Sequence, residues 1–177
     1  MGAFVLSEEE LIEVKPEFMG IQNGDYPGAF PPKVEDRIKK VVASPCLHLF
    51  SGSSKIGDER IDWSNTNATI KMNVFDFVKH DNRDWNFILL DPPYAMSERN
   101  VEALGYDRHD TFPWSSKKRR DSFELFIQQH AENVLWFDII SPRPPGFDKY
   151  KTWLYMKGGY STVRVLTWLK RKGERLI

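Results

Sequence analysis

The chain is short of cysteine, of net charge and of long apolar runs, and each shortage excludes something. One cysteine, Cys46, in 177 residues rules out an internal disulfide and suits a reducing compartment. Set inside an apolar stretch, it reads as a small buried hydrophobe. Twenty-five basic residues against twenty-five acidic ones leave a formal net charge of zero. Any contact with a polyanion must therefore come from a local patch and not from a global field. No apolar run approaches the ~20 residues needed to span a bilayer. Glu8, Glu9 and Glu10 stand where a secretory signal would be basic and then apolar. A soluble, cytoplasmic protein with no membrane contact is expected. His48, His80, His109 and His130 share no ligand spacing with each other or with Cys46, so no metal is expected. No internal repeat or low-complexity segment is visible.

What is present is enough apolar residue, 41% of the chain, for one well-buried core and one domain over 1–177. Its organising stretch is Trp85-Asn86-Phe87-Ile88-Leu89-Leu90-Asp91-Pro92-Pro93-Tyr94. Phe87 to Leu90 lack polar alternation, as a central parallel strand covered on both faces would. Pro92 and Pro93 cannot donate to a ladder, so pairing must stop there. They also hold the backbone at Asp91 extended and turn their carbonyls into rigid acceptors. A carboxylate and a proline carbonyl can accept both hydrogens of a planar exocyclic amine while Tyr94 stacks on the ring that carries it. Ligands of open α/β sheets bind at the carboxyl ends of strands, so this is a candidate nucleobase amino-group site. The plainer alternative is a strand ending in a proline turn, capped by Asp91, with Tyr94 packed on the surface.

In chain order, Ser7 to Val14 fits a short helix with Ser7 and Glu10 as a capping box. A rigid Pro/Gly loop around Phe30 leads into a helix over Lys33 to Val42. Phe30 is either core or an aromatic wall for a ligand. Cys46 to Phe50 reads as the first central strand, ending in the small-residue turn Ser51-Gly52-Ser53-Ser54, where a ligand could approach the backbone. Arg60 to Trp63 reads as the second, and its Asp62 stands where such folds hold ribose hydroxyls. Ser51 to Glu59 spans only nine residues, fewer than the ~10–12 of a complete crossover. The first crossover helix is therefore expected to be missing or cut to one turn. A third strand over Thr69 to Asn73 and a helix from Val74 precede the Asp91 strand.

After Tyr94, residues 95–121 are polar and read as a binding loop, ending in the run Lys117-Lys118-Arg119-Arg120. Asp121 or Ser122 can cap a helix running to Ala131, followed by a strand over Asn133 to Ile140. Its end, Ser141-Pro142-Arg143-Pro144-Pro145-Gly146, is a second proline-stiffened loop on the edge expected to carry Asp91. Lys117, Lys118, Arg119, Arg120 and Arg143 are the candidate phosphate contacts, although a charge run is commonly just a solvated face. Two β-rich runs, Thr152 to Met156 and Thr162 to Leu169, joined through Gly158-Gly159, predict an antiparallel hairpin.

In this order the chain resembles the amino-methylating DNA methyltransferases, which act on N6 of adenine or N4 of cytosine. Asp91-Pro92-Pro93-Tyr94 matches their catalytic motif in full, and Leu49-Phe50-Ser51-Gly52 is similar to their cofactor loop. The likeness runs over roughly residues 25–170. It implies a Rossmann-like methyltransferase fold, with a mixed, mostly parallel seven-stranded sheet, an antiparallel C-terminal hairpin strand and here a shortened first crossover. S-adenosylmethionine is the implied cofactor, with Asp62 on its ribose, Asn73 at its adenine, and Phe30, Ser51 and Gly52 along its methionine side. His48 and Phe50 complete the implied cofactor set, His48 standing where the family usually has an acid and Ser54 where it has a further glycine. No segment is large enough to be the family's target-recognition domain, so a partner subunit could supply that role. The implied activity is methyl transfer to a flipped-out base in DNA, adenine first. The same site could serve RNA or a free base, and a non-catalytic subunit could keep the fold.

Overall fold

The computed structural model describes residues 16–18, 30–63, 67–92, 117–156 and 163–173. In chain order its elements are β1 (Pro16–Phe18), α1 (Pro32–Lys39), β2 (Cys46–Leu49), β3 (Glu59–Asp62), β4 (Ile70–Lys71), α2 (Val74–His80), β5 (Trp85–Leu90), α3 (Lys117–His130), β6 (Ala131–Asp138), β7 (Phe147–Met156) and β8 (Val163–Arg171). One sheet holds all the strands in the order β1-β7-β8-β6-β5-β2-β3-β4. Neighbours from β6 through β4 are parallel, and β8 runs antiparallel to both β6 and β7. Seven strands are those the sequence predicts. The eighth, β1, adds three residues parallel to the outer edge of β7. Starting at β2, the chain moves out to β4 and then returns to β5 on the other flank, so the strand order reverses between β2 and β5. Such a reversal leaves a crevice at the carboxyl ends of the two strands.

Apolar residues of both parities explain why β5 shows no alternation. Ile88 and Leu90 join Leu47, Leu49, Ile61, Val134 and Trp136 on one face, packed under Val74, Phe77 and Val78 of α2 and Phe123, Phe126 and Ile127 of α3. Phe87 and Leu89 join Cys46, Leu135, Phe137 and Leu166 on the other, under Val34 and Ile38 of α1 together with Phe30 and Ile56. Ile88, Leu89 and Leu90 are fully buried, each worth ~1.5–3 kcal/mol in transfer alone.

Several boundaries differ from the sequence expectation. α1 begins at Pro32, where a missing N–H costs nothing, and stops at Lys39, leaving Val41 and Val42 to pack beyond its end. β4 is cut to two residues because Asn73 already caps α2, its Oδ1 accepting the Phe75 N–H at 2.9 Å. α3 begins at Lys117 and not at Asp121 or Ser122, so the basic run forms its first turn. Lys and Arg are good helix formers, and Phe123, Phe126 and Ile127 anchor the helix to the sheet.

The first crossover has no helix. Nine residues, 50–58, connect β2 to β3. Asp58 fastens this segment: its N–H reaches the Cys46 carbonyl at 2.8 Å, and its carboxylate accepts the Cys46 N–H at 2.8 Å and the Ser44 hydroxyl at 3.0 Å. Gly57, at φ +105°, lies so close to β2 that a Cβ there would sit 3.1 Å from the Cβ of His48. Ile56 thereby covers a patch of sheet that a crossover helix would otherwise cover.

Candidate active site

Leu49 of β2 lies opposite both Leu90 of β5 and Ile61 of β3. The chain therefore leaves these three parallel strands on one edge, at Phe50, Asp91 and Asp62. Phe50 turns with φ 59°, unusual for a non-glycine residue, and Gly52 follows at φ 50°. The turn is held by the Ser51 N–H on the Ile61 carbonyl at 3.1 Å and the Gly52 N–H on Asp62 Oδ2 at 2.9 Å. Asp62 thus ties the loop after β2 to the end of β3, and Asn73, two residues past the next strand outward, caps α2. Ser51 is fully buried, and its Oγ has no hydrogen-bond partner among the described residues.

Phe30 and His48 lie together on the α1 side of the sheet, their rings stacked at 5.1 Å and 14°. His48 Nδ1 donates to the Ile56 carbonyl at 3.0 Å. Burial lowers its pKa to about 4, so the ring is neutral, and its Nε2, buried and without a hydrogen-bond partner among the described residues, is left as an acceptor. The Phe50 ring points to the helical side, stacked on Phe123 and edge-on to Phe75.

Asp91 is buried at the end of β5, where burial pushes its pKa up to about 6 against the opposing pull of Arg164. Arg164 Nη2 donates to Asp91 Oδ1 at 2.9 Å, and its guanidinium carbon lies 3.8 Å from the centroid of Phe137. On the neighbouring strand, Asp138 is fully buried, and its carboxylate accepts the Trp136 indole N–H at 3.2 Å. Burial raises its pKa to about 7, helped by the negative charge of Asp91. The end of β5 therefore carries two buried carboxyls and one guanidinium. Asp138 and Arg164 are not among the residues the sequence singles out. An acid closing an apolar strand could have flagged Asp138, but Arg164 has no local signal.

Pro92 follows Asp91 directly and is buried, whereas Pro93 and Tyr94 lie outside the described residues. Arg143 is exposed in the loop after β6, but it lies 4.0 Å from Asp148, which the register sets level with Asn133 near the amino end of β6. The loop has by then run back along the sheet, so Arg143 stands away from the Asp91 edge expected for it. Lys117, Lys118, Arg119 and Arg120 open α3, which ends directly at the amino end of β6. A helix of 14 residues spans ~21 Å, so its basic start is carried back toward the carboxyl edge. Cys46 is buried within β2, its thiol pushed up to about 12 by burial and by Asp58. Among the described residues no group of His, Cys, Asp and Glu is arranged to hold a metal ion, and no helix is long and apolar enough to cross a membrane.

No protein-family model matches the sequence, and no curated protein sequence does either. Among solved structures, the "Putative methyltransferase yhhF" of Escherichia coli aligns over 84% of this chain and 91% of that one, with a TM-score of 0.50 at 12% sequence identity. The fold is Rossmann-like, a mixed and mostly parallel sheet, and is similar to that of this neighbour. Asp91, Asp62 and the Ser51-Gly52 turn lie on the same edge of the sheet by the strand reversal, while Phe30 and His48 pack on the α1 side of β2 and Phe50 packs toward α2 and α3.

Proposed function

We propose that this chain is an S-adenosylmethionine-dependent methyltransferase acting on the exocyclic amine of a base flipped out of DNA, with N6 of adenine as the target. The observation that carries this reading is Asp91-Pro92 at the carboxyl end of β5, next to the reversal, on the same edge as Ser51, Gly52 and Asp62. The residues present fit the cofactor: a buried Ser51 Oγ awaits a partner, Asp62 ends β3 where a ribose acceptor is needed, and Asn73 follows the adjacent strand as the cap of α2. Phe30 and His48 would back the methionine side. S-adenosylmethionine, when bound, supplies the methyl group on a sulfonium centre.

The chain's own task is to make a poor nucleophile attack. An aryl amine keeps its lone pair in the ring, and acceptors at Asp91 and the Pro92 carbonyl favour the pyramidal geometry that frees it. Asp91 must be ionised for this, which a pKa of about 6 allows at neutral pH. Flipping a base costs a few kcal/mol, and stacking on Tyr94 would return ~1–3 kcal/mol. The basic start of α3 would meet phosphates. Cys46, buried with a raised pKa, supplies no covalent route. RNA presents the same amines and is the alternative substrate.

A second reading, a methyltransferase-fold subunit that binds nucleic acid or a catalytic partner without turnover, is favoured by the helix-free connection over residues 50–58. The deciding experiment is transfer of tritiated methyl from S-adenosylmethionine to unmethylated DNA and RNA, followed by nucleoside analysis. N6-methyladenine from DNA with the parent chain, and ~10²-fold less or lower still with Asp91→Asn, is expected. A parent that binds cofactor yet methylates neither nucleic acid would favour the second reading.

A further inference from the structure

We infer that Arg164 is the positioning residue of the amine-acceptor site, reaching across β6 to hold the Asp91 carboxylate in one orientation. The inference rests on reading Asp91 as that acceptor. β8 is not a neighbour of β5, because β6 lies between them. The Arg164 side chain crosses this intervening strand with its guanidinium against the Phe137 ring and ends on Asp91 Oδ1 at 2.9 Å. The two side chains are only 19% and 4% exposed, so water screens the contact little. Stacking fixes the plane of the fork, and the hydrogen bond fixes one carboxylate oxygen.

Stability alone is a poor reason for this arrangement. A buried ion pair is often matched or bettered by apolar residues of similar volume, since both charges must be desolvated. The β5 end gains something else. Asp138, on β6, is a second buried carboxyl that feels the negative charge of Asp91, and His48, facing the same side from β2, is neutral and offers no compensation. Arg164 from β8 is the cation that opposes burial and keeps Asp91 ionised. A protonated Asp91 would be a weak acceptor, so Arg164 sets both the direction and the charge of the group that meets the amine.

The test uses the full chain and two substitutions, Arg164→Met, which keeps much of the volume, and Arg164→Lys, which keeps the charge. The Asp91 carboxyl is titrated by carbon-13 NMR, its signal assigned by its loss in Asp91→Asn, and methyl transfer is measured across pH with cofactor and DNA saturating. Arg164→Met is expected to move the Asp91 titration and the acid limb of the rate profile upward together by about one to three pH units. Arg164→Lys should recover most of that shift while still lowering kcat, because an ammonium cannot hold the carboxylate plane as a fork does. If Arg164→Met fails to fold, the same two readouts on Arg164→Lys decide, with a lowered kcat and a near-parental titration expected. An Asp91 titration unmoved in Arg164→Met, or an Arg164→Lys protein with parental kcat, overturns the inference. If the titration moves as expected but no chain methylates nucleic acid, the electrostatic role stands and the substrate reading fails instead.

Discussion

At the end of β2 the chain builds its surface from backbone, whereas at the end of β5 it builds from charge. The first end is a turn through Phe50 and Gly52 at positive φ, pinned by one Gly52 N–H on Asp62, and the loop beyond it packs flat on the sheet through Gly57. The second end gathers Asp91, Asp138 and Arg164, all largely buried, with the two acids near pKa 6 and 7. A site made of backbone depends on conformation and should fail by degrees as the turn loosens. A site made of buried charge depends on protonation and should fail steeply with pH.

Asp91→Asn breaks the charged end most severely. It keeps one acceptor oxygen but loses the full negative charge, so methyl transfer should fall ~10²-fold or more while cofactor binding stays. Parental activity in that variant would leave Asp91 as a turn residue.

Next comes the pH dependence of folding. Unfolded aspartate ionises near 3.8, whereas Asp91 and Asp138 ionise near 6 and 7 when folded. Between those values the folded chain binds more protons, so the stability these acids contribute is complete below about pH 4 and is lost as pH rises through about 7. Buried His48 works the other way, being lowered to about 4, so its contribution is gained as pH rises. Comparing urea unfolding of the parent with that of Asp138→Asn isolates the contribution of Asp138. From pH 4 to 8 the variant should gain on the parent by at most about 3–4 kcal/mol. Parallel stability curves would mean that Asp138 is not strained by its charge.

At the backbone end, Asp62→Ala removes both the tie to the Gly52 N–H and the proposed ribose acceptor. Cofactor affinity should weaken by ~1.5–3 kcal/mol, read by titration calorimetry. An unchanged affinity would remove Asp62 from the cofactor site. The smallest effect is expected at the start of α3, where neutralising Lys117, Lys118, Arg119 and Arg120 should flatten the salt dependence of DNA binding by ~0.9 for each phosphate left without its cation. An unchanged slope would return the run to ordinary solvated surface.

The two ends also differ in how far their sequence discloses them. The turn after β2 is legible because a strand, small residues and an acid lie within fourteen residues, Leu49 to Asp62, and the same spacing exposes the missing crossover helix. Asp91 is legible because an apolar run stops at it. Arg164 is not, since its partner stands 73 positions away on a strand that does not touch β8. β1 escapes notice because three residues carry no periodicity. The start of α3 is obscured by four cations at a helix amino terminus, where the macrodipole disfavours them but packing further along the helix prevails.

Calorimetric titration of the full chain with S-adenosylmethionine reaches the central claim most directly, because every role proposed for Asp91 presupposes a methyl donor held beside it at the β2 end. Saturable binding at one site per chain, weakened in Asp62→Ala and retained in Asp91→Asn, is the expected result. No detectable binding up to millimolar cofactor would contradict the assignment of this chain as a methyltransferase.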